Sequence, residues 1–284
     1  METTKIPSVR TETIDPSIEN ALPENCTMSI LFQEDGLVFS ILRNDLQKFI
    51  VLGEYELKNQ NAEIESLFYF REQLQGAFAK YTIAFGSTHF TIIPAPLFNA
   101  NNLAEYANFQ FDAALEDLRY DSLSTPGLVI VYSVPKEIQQ FVDVNFLGAK
   151  IKHTSSYTIS HYTNLYKNKP GEHLHVQIWH NKVEIIAIKN GKLLLINSFS
   201  FETDEDLLYF ILNVYEQLEL NPESVPLKVS GELEKGSESW NLLLTYIRFV
   251  ETEERMANYV YSHEFKAFVN HRYNRVFQAA TCVL

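Results

Sequence analysis

Short β-type apolar runs, separated by turn residues, come in threes near the start of the chain and again past its middle. The first is Thr27-Met28-Ser29-Ile30-Leu31-Phe32-Gln33, which turns at Asp35-Gly36 into Leu37-Val38-Phe39-Ser40-Ile41-Leu42. Asp-Gly between two such runs is a favoured two-residue hairpin turn. After Asn44-Asp45 a third strand runs over residues 49–57. From Asn61, read as an N-cap, Ile64, Leu67, Phe68, Leu74 and Phe78 recur at helical spacing, and residues 81–85 form a closing strand.

The same order returns later. Residues 174–179 turn at His180-Asn181 into 183–188, and Asn190-Gly191 leads into 193–196 and on to Phe201. Thr203 with Asp206 reads as a capping box. It opens a helix with Leu207, Leu208, Ile211, Val214, Tyr215 and Leu218 on one face, ended by Pro222. A strand over 227–230 reaches Gly231, and a second helix from about Ser237 carries Trp240, Leu243, Leu244 and Ile247. Both segments read β-β-β-α-β. Two hairpins followed by a crossover helix make a mixed sheet whose fourth strand lies parallel to the first.

Between the two units, Val129-Ile130-Val131-Tyr132-Ser133-Val134 is a buried-type strand. Pro135 suits the first turn of a following helix that carries Ile138, Phe141, Val142 and Phe146; Gly148 ends it, and Ile151 starts another short strand. The expected organisation is a flexible arm over 1–25, an N-terminal domain over 26–170 with a loop-rich extension at about 95–125, and a C-terminal domain with its tail over 171–284. The arm is inferred from sparse, aperiodic apolar residues.

Composition narrows the partners. The formal net charge of −13 opposes binding to nucleic acid or an anionic membrane surface, since both need Lys and Arg to neutralise phosphates. Arg272 and Arg275 are the nearest thing to a basic patch, and Glu251, Glu253, Glu254 and Glu264 beside them read as an ordinary solvated face. Cys26 and Cys282, near opposite ends, cannot build a disulfide framework or a cysteine-rich metal site, so a reducing compartment is expected. Cys282 falls one place too late for a prenylation box. The first 25 residues lack the apolar run of a signal peptide, and no apolar run reaches the roughly 18 residues of a membrane span. The expected location is the cytoplasm, without membrane insertion.

Two β-β-β-α-β units in tandem resemble the actin-like ATPase fold, a doubled ribonuclease-H-like domain of the α/β class with mixed sheets. The stretch Val131-Tyr132-Ser133-Val134-Pro135-Lys136-Glu137, with its helix, Gly148-Ala149 and short strand, is similar to the corresponding part of type IV pilus assembly and cell-division members. The resemblance implies kinship with a bacterial family of actin-like proteins without assigned function. It also implies where a nucleotide would sit: at the first hairpin of each unit and the loop after the fourth strand of the second. Those positions are Asp35, Gly36, Asn181, Ser230, Gly231, Lys235 and Gly236.

The residues at these positions argue against phosphate chemistry. Phosphate loops need glycine so that backbone N–H groups can approach the anion. None of the chain's ten glycines adjoins another. Glu34-Asp35-Gly36-Leu37 lacks a glycine-rich continuation, and Trp179-His180-Asn181-Lys182 has neither glycine nor acid. Ser230-Gly231-Glu232-Leu233 has one glycine where the family pattern has two, and Lys235-Gly236-Ser237 reads as the loop opening the Trp240 helix. Two-metal nuclease chemistry needs an acid in the first strand, and neither 27–33 nor 174–179 has one. His173 and His175 share a strand face with His180 nearby, yet no local third ligand completes a zinc set. No serine lies in a Gly-x-Ser-x-Gly elbow.

The expectation is therefore a non-catalytic interaction or scaffold protein without cofactor or metal, working with an unidentified protein partner or as a homodimer. The 95–125 segment and the tail after Glu251 are its candidate surfaces. The alternative is a diverged nucleotide-binding ATPase or small-molecule kinase using ATP and Mg²⁺.

Overall fold

A computed structural model of the chain describes residues 7–57, 60–71, 74–111, 117–146 and 148–282. It divides into two compact units. The first runs to Ser156 and includes Asn258–Lys266 and the segment beginning at Ala279; the second is Tyr157–Ala257 with Ala267–Gln278.

In the first unit β1 (Ser8–Ile14) precedes β2 (Cys26–Phe32), β3 (Gly36–Arg43) and β4 (Lys48–Glu56); α1 (Gln60–Phe70) and β5 (Lys80–Phe85) follow. The β2–β3 and β3–β4 hairpins are antiparallel, and β5 returns parallel to β2, from Thr27 against Lys80 to Phe32 against Phe85. Every residue of β2 is buried, the signature of a strand covered on both faces. A smaller sheet of β6 (Phe90–Pro94), β7 (Asp117–Leu123) and β8 (Leu128–Val134) carries α2 (Leu103–Gln110). Then come α3 (Lys136–Asn145), β9 (Ile151–His153) and α4 (Thr154–Leu165). In α3, Ile138, Phe141 and Val142 share one face, and Phe141 and Phe146 pack against Phe68 of α1, with ring centroids 5.2 and 5.4 Å away.

The second unit has β10 (Glu172–Trp179), β11 (Lys182–Lys189) and β12 (Lys192–Ser200), then α5 (Asp204–Gln217), β13 (Leu227–Gly231), α6 (Glu238–Tyr246) and β14 (Val250–Thr252). Its sheet order is β12-β11-β10-β13-β14, with β13 parallel to β10. The first sheet runs β1-β4-β3-β2-β5-β9, so the same five-strand order occurs in both. The Thr203–Asp206 capping box opens α5 as the sequence indicates. That helix and α6 bury Leu207, Ile211, Val214, Trp240 and Leu243 against one face of the sheet, each side chain contributing about 1.5–3 kcal/mol by burial. The C-terminal segment supplies β15 (Val260–Tyr261), parallel to β4, and α7 (Asn274–Thr281). Among the described residues no helix is long and apolar enough to cross a membrane.

Several expectations need correction. Residues 8–14 of the supposed flexible arm form β1, antiparallel to β4. Side chains hold it there: Tyr55 donates to Glu12 at 2.6 Å, and Arg10 pairs with Glu54 at 3.5 Å. Pro16–Asn20 and Pro23–Asn25 form short 3-10 turns, the first capped by Asp15. The 95–125 segment is not loop-rich where described, since α2 packs on the β6–β8–β7 sheet around Ala107; residues 112–116 lie outside the described residues. The side chain of Asn61, read as an N-cap, also lies outside them. The helix expected from there stops at Phe70, and α5 stops at Gln217, before Pro222. Cys26 opens β2 inside the core rather than sitting near a loose end. The boundary between the units falls at 156/157, not 170/171, and part of the C-terminal tail belongs to the first unit.

Deleting residues 1–14 exposes the β4 edge and removes the Tyr55–Glu12 and Arg10–Glu54 contacts. The melting temperature is expected to drop by about 5 °C or more, measured by circular dichroism; an unchanged value would mean β1 contributes nothing to stability.

Candidate functional site

The sequence-derived site residues divide between the units: Asp35 and Gly36 in the first; Asn181, Ser230, Gly231, Lys235 and Gly236 in the second. At the β2–β3 turn the Asp35 carbonyl accepts from Leu57 N–H at 2.9 Å, and the Gly36 carbonyl accepts from Gln33 N–H at 2.8 Å. A Cβ on Gly36 would lie 2.5 Å from the Tyr55 carbonyl oxygen. Glycine is required there by the approach of β4, which is a strand-packing reason.

The second unit brings its residues closer together. Gly231 sits at φ +89°, and a Cβ on it would collide with the Ile178 carbonyl. Its N–H donates to the His271 carbonyl at 3.1 Å, and Glu232 N–H donates to the Ile178 carbonyl at 2.9 Å. This contact lays the loop after β13 beside the β10–β11 turn. Glu232 Oε2 then accepts from His180 N–H at 2.7 Å and lies 3.2 Å from His180 Nδ1, while Oε1 accepts from Arg272 Nη2 at 3.0 Å. Burial alone would raise the Glu232 pKa, but His180 and Arg272 outweigh it and hold the carboxyl below its usual range. A carboxylate of the chain thus occupies a backbone N–H of this turn.

The other positions are engaged within the fold. Asn181 contributes its carbonyl, accepting from Phe201 N–H at 2.8 Å. Ser230 is buried, its hydroxyl 3.4 Å from the Val176 carbonyl. Lys235 Nζ lies 5.9 Å from the centre of the Trp240 ring, and the Gly236 carbonyl accepts from Asn241 Nδ2 at 3.2 Å, where Ser237 caps α6.

Sequence reasoning missed a second arrangement. In β10, Leu174, Val176 and Ile178 face the apolar core, so His173, His175 and Gln177 face the other way. On this polar face His175 and Gln177 are nonetheless buried and His173 is half-buried. His175 Nε2 is 2.8 Å from the Tyr166 hydroxyl and the Tyr166 ring stacks on His173 at 3.7 Å. His175 Nδ1 lies 3.3 Å from Glu253 Oε1 but is misaligned for a hydrogen bond. Glu253 accepts from Tyr162 O–H at 2.8 Å. Further along the sheet Glu184 accepts from Thr158 O–H at 2.7 Å and pairs with Arg275 at 3.1 Å. Arg272 and Arg275 therefore serve buried and half-buried carboxylates rather than a solvated face. The readable signal was the polar alternation His173-His175-Gln177 within an apolar strand.

A cavity of about 500 Å³ opens beside His161, His173, His175, Lys228 and Glu253. His173, His175 and His161 sit below the ordinary imidazole range, burial being the largest cause in each. Glu253 is also held low: burial pushes it up, and His175, Tyr162 and His161 together outweigh that. Among the described residues no group of three or more His, Cys, Asp or Glu side chains is arranged to hold a metal ion.

The profile of the family described as "Protein of unknown function (DUF3822)" matches residues 15–250. No curated protein sequence matches. A solved structure from Bacteroides thetaiotaomicron, described as a protein with actin-like ATPase fold and unknown function, aligns with a TM-score of 0.77 at 24% identity, over 92% of this chain and 97% of that one. The PilM–PilN type IV pilus biogenesis complex contains a chain aligning with a TM-score of 0.58 at 11% identity, over 91% of this chain and 98% of that one. The fold is the actin-like ATPase fold.

Gly231→Ala combines a left-handed backbone with a collision at Ile178, and should cost about 2 kcal/mol or more by chemical denaturation; a smaller loss would show that the loop yields easily. Stability should also depend on pH through the buried histidines, His271 among them, whose pKa burial also lowers. With folded pKa values below the unfolded value of about 6.5, the unfolded chain binds more protons. Their contribution is complete above that value and declines as pH falls toward the folded pKa values. The melting temperature should therefore fall between about pH 7.5 and about pH 5.5, less steeply in His175→Gln; an equal slope in the variant would remove His175 from the account.

Proposed function

This chain belongs to the DUF3822 family, and from that premise we propose that it is a non-catalytic actin-like protein acting as an interaction module for another protein. The observation that carries this reading is the Glu232 carboxylate on His180 N–H, braced by Arg272. At the second-unit turn where the actin-like resemblance places a phosphate, the chain presents its own anion. A phosphate arriving there meets like charge, and displacing Glu232 would strip Arg272 and His180 of their partner.

Other features support the same reading. Gly36 and Gly231 are glycine because a strand carbonyl crowds each. Lys235 and Gly236 belong to the turn that starts α6. A structural neighbour is part of a two-protein assembly, the PilM–PilN complex, and that precedent favours a protein partner here. The shared five-strand order in the two sheets fits an origin by internal duplication.

Thermal melting with about 5 mM ATP and Mg²⁺ tests the proposal. A functional site with Kd of about 50 μM would stabilise the fold by about 2.7 kcal/mol, raising the melting temperature by about 5 to 10 °C. No rise is expected. A rise of that size, lost in Asp35→Ala, would replace the interaction module with a diverged nucleotide-binding protein.

A further inference from the structure

In the first unit, a cavity of about 380 Å³ lies where β7, β8, α3 and the start of β9 meet. Its wall carries Arg119, Lys150 and Lys152 as cations and Asp121 and Asp143 as acids. The two acids are already engaged. Asp121 is 7% exposed and accepts from Tyr132 O–H at 3.1 Å, His153 N–H at 2.8 Å and Ser156 O–H at 2.6 Å. Burial pushes its pKa up, against those donors and Lys152. Asp143 accepts from Gln139 Nε2 at 2.6 Å.

Of the cations, Lys152 acts on Asp121 through space, without a direct ion pair. Among the described residues, Arg119, Lys150 and Lys152 form no ion pair, whereas the arginines at 10, 43, 71, 248, 272 and 275 all do. Arg119 Nε is sealed from solvent without an acceptor. An unpaired guanidinium with a buried nitrogen is costly unless something completes it. Lys150, just before β9, and Lys152 within it both line the cavity. In a chain of net charge −13, this cavity gathers three cations, none of them in a direct ion pair among the described residues.

We propose that this cavity binds a small organic anion bearing a carboxylate or phosphate group, held by the Arg119 guanidinium with Lys150 and Lys152. The guanidinium is suited to a planar or tetrahedral oxyanion because its N–H groups donate in parallel pairs. The volume falls within the range of about 300–1,000 Å³ usual for small-molecule sites. Leu103, Leu118 and Tyr120 form the apolar side of the wall, so the ligand carries a short hydrocarbon portion beside its anionic group. The site lies wholly in the first unit and is independent of the Glu232 turn, so it stands or falls separately from the interaction-module reading.

Titration calorimetry on the full chain at low ionic strength, with succinate and separately with inorganic phosphate, tests the inference. At least one anion should bind with Kd below about 5 mM, and the tighter of the two tells whether the ligand chemistry is carboxylate or phosphate. Arg119→Gln should weaken that binding about tenfold or more, the value of a charge-assisted contact, and should not lower the melting temperature, since no ion pair is lost. The Lys150→Gln, Lys152→Gln double variant, read the same way, supplies the result if Arg119→Gln fails to fold. No heat with either anion at about 20 mM, or equal affinity in the variants, overturns the proposal.

Discussion

The chemistry of the second unit depends on one close approach, that of Gly231 to the Ile178 carbonyl. Parallel pairing of β13 with β10 brings these residues into register, and only a residue without Cβ fits there. Once the strands are this close, Glu232 N–H meets the Ile178 carbonyl, and its side chain falls across the neighbouring turn. Arg272 answers the carboxylate, and the His271 carbonyl and ring tie the same loop from the C-terminal segment: the carbonyl accepts from Gly231 N–H, and Nε2 lies 2.9 Å from the Leu233 carbonyl. A backbone constraint between two strands thus dictates where a charge sits and what neutralises it.

The same sheet separates two kinds of packing. One face buries Leu174, Val176, Ile178, Leu227 and Val229 against α5 and α6. The other buries His175, Gln177, Glu184 and Ser230. Burying polar groups costs several kcal/mol each unless they are paired, so this face is built as a connected network: Thr158 and Arg275 on Glu184, Tyr162 on Glu253, Tyr166 on His175. Among the atoms that escape it are His175 Nδ1 and Gln177 Oε1. His175 lies at the cavity wall, where water has room to complete it. The network fixes a unique arrangement, because a shifted register would leave charges unpaired.

Much of this architecture was legible in the sequence where local signals were strong. The Asp35-Gly36 and Asn190-Gly191 turns, the Thr203–Asp206 box and the parallel return of β5 and β13 follow from turn chemistry and periodicity. What failed were elements whose stability comes from distant partners. β1 is a polar strand, Ser-Val-Arg-Thr-Glu-Thr-Ile, and it forms because β4 offers an edge and Tyr55 seeks Glu12. The helix α4 reads Thr-Ser-Ser-Tyr-Thr-Ile-Ser-His-Tyr-Thr-Asn-Leu, rich in residues that favour strands or turns; its tertiary setting overrides that preference. The role of Arg272 and Arg275 was hidden because their acids, Glu232 and Glu184, lie about 40 and 90 positions away along the chain.

Glycine illustrates why residue counting is a weak guide to function in this fold. A phosphate loop and a tight strand crossing both select glycine, since each needs backbone where a side chain would stand. The residues next to it separate the two cases. A phosphate loop leaves N–H groups free to converge on an anion, whereas Gly231 N–H is spent on His271 and the adjoining turn's N–H on Glu232. At Gly36 the crowding partner is the Tyr55 carbonyl, again the protein's own backbone. Destination of the N–H groups, rather than the presence of glycine, is what distinguishes a retained shape from a retained chemistry.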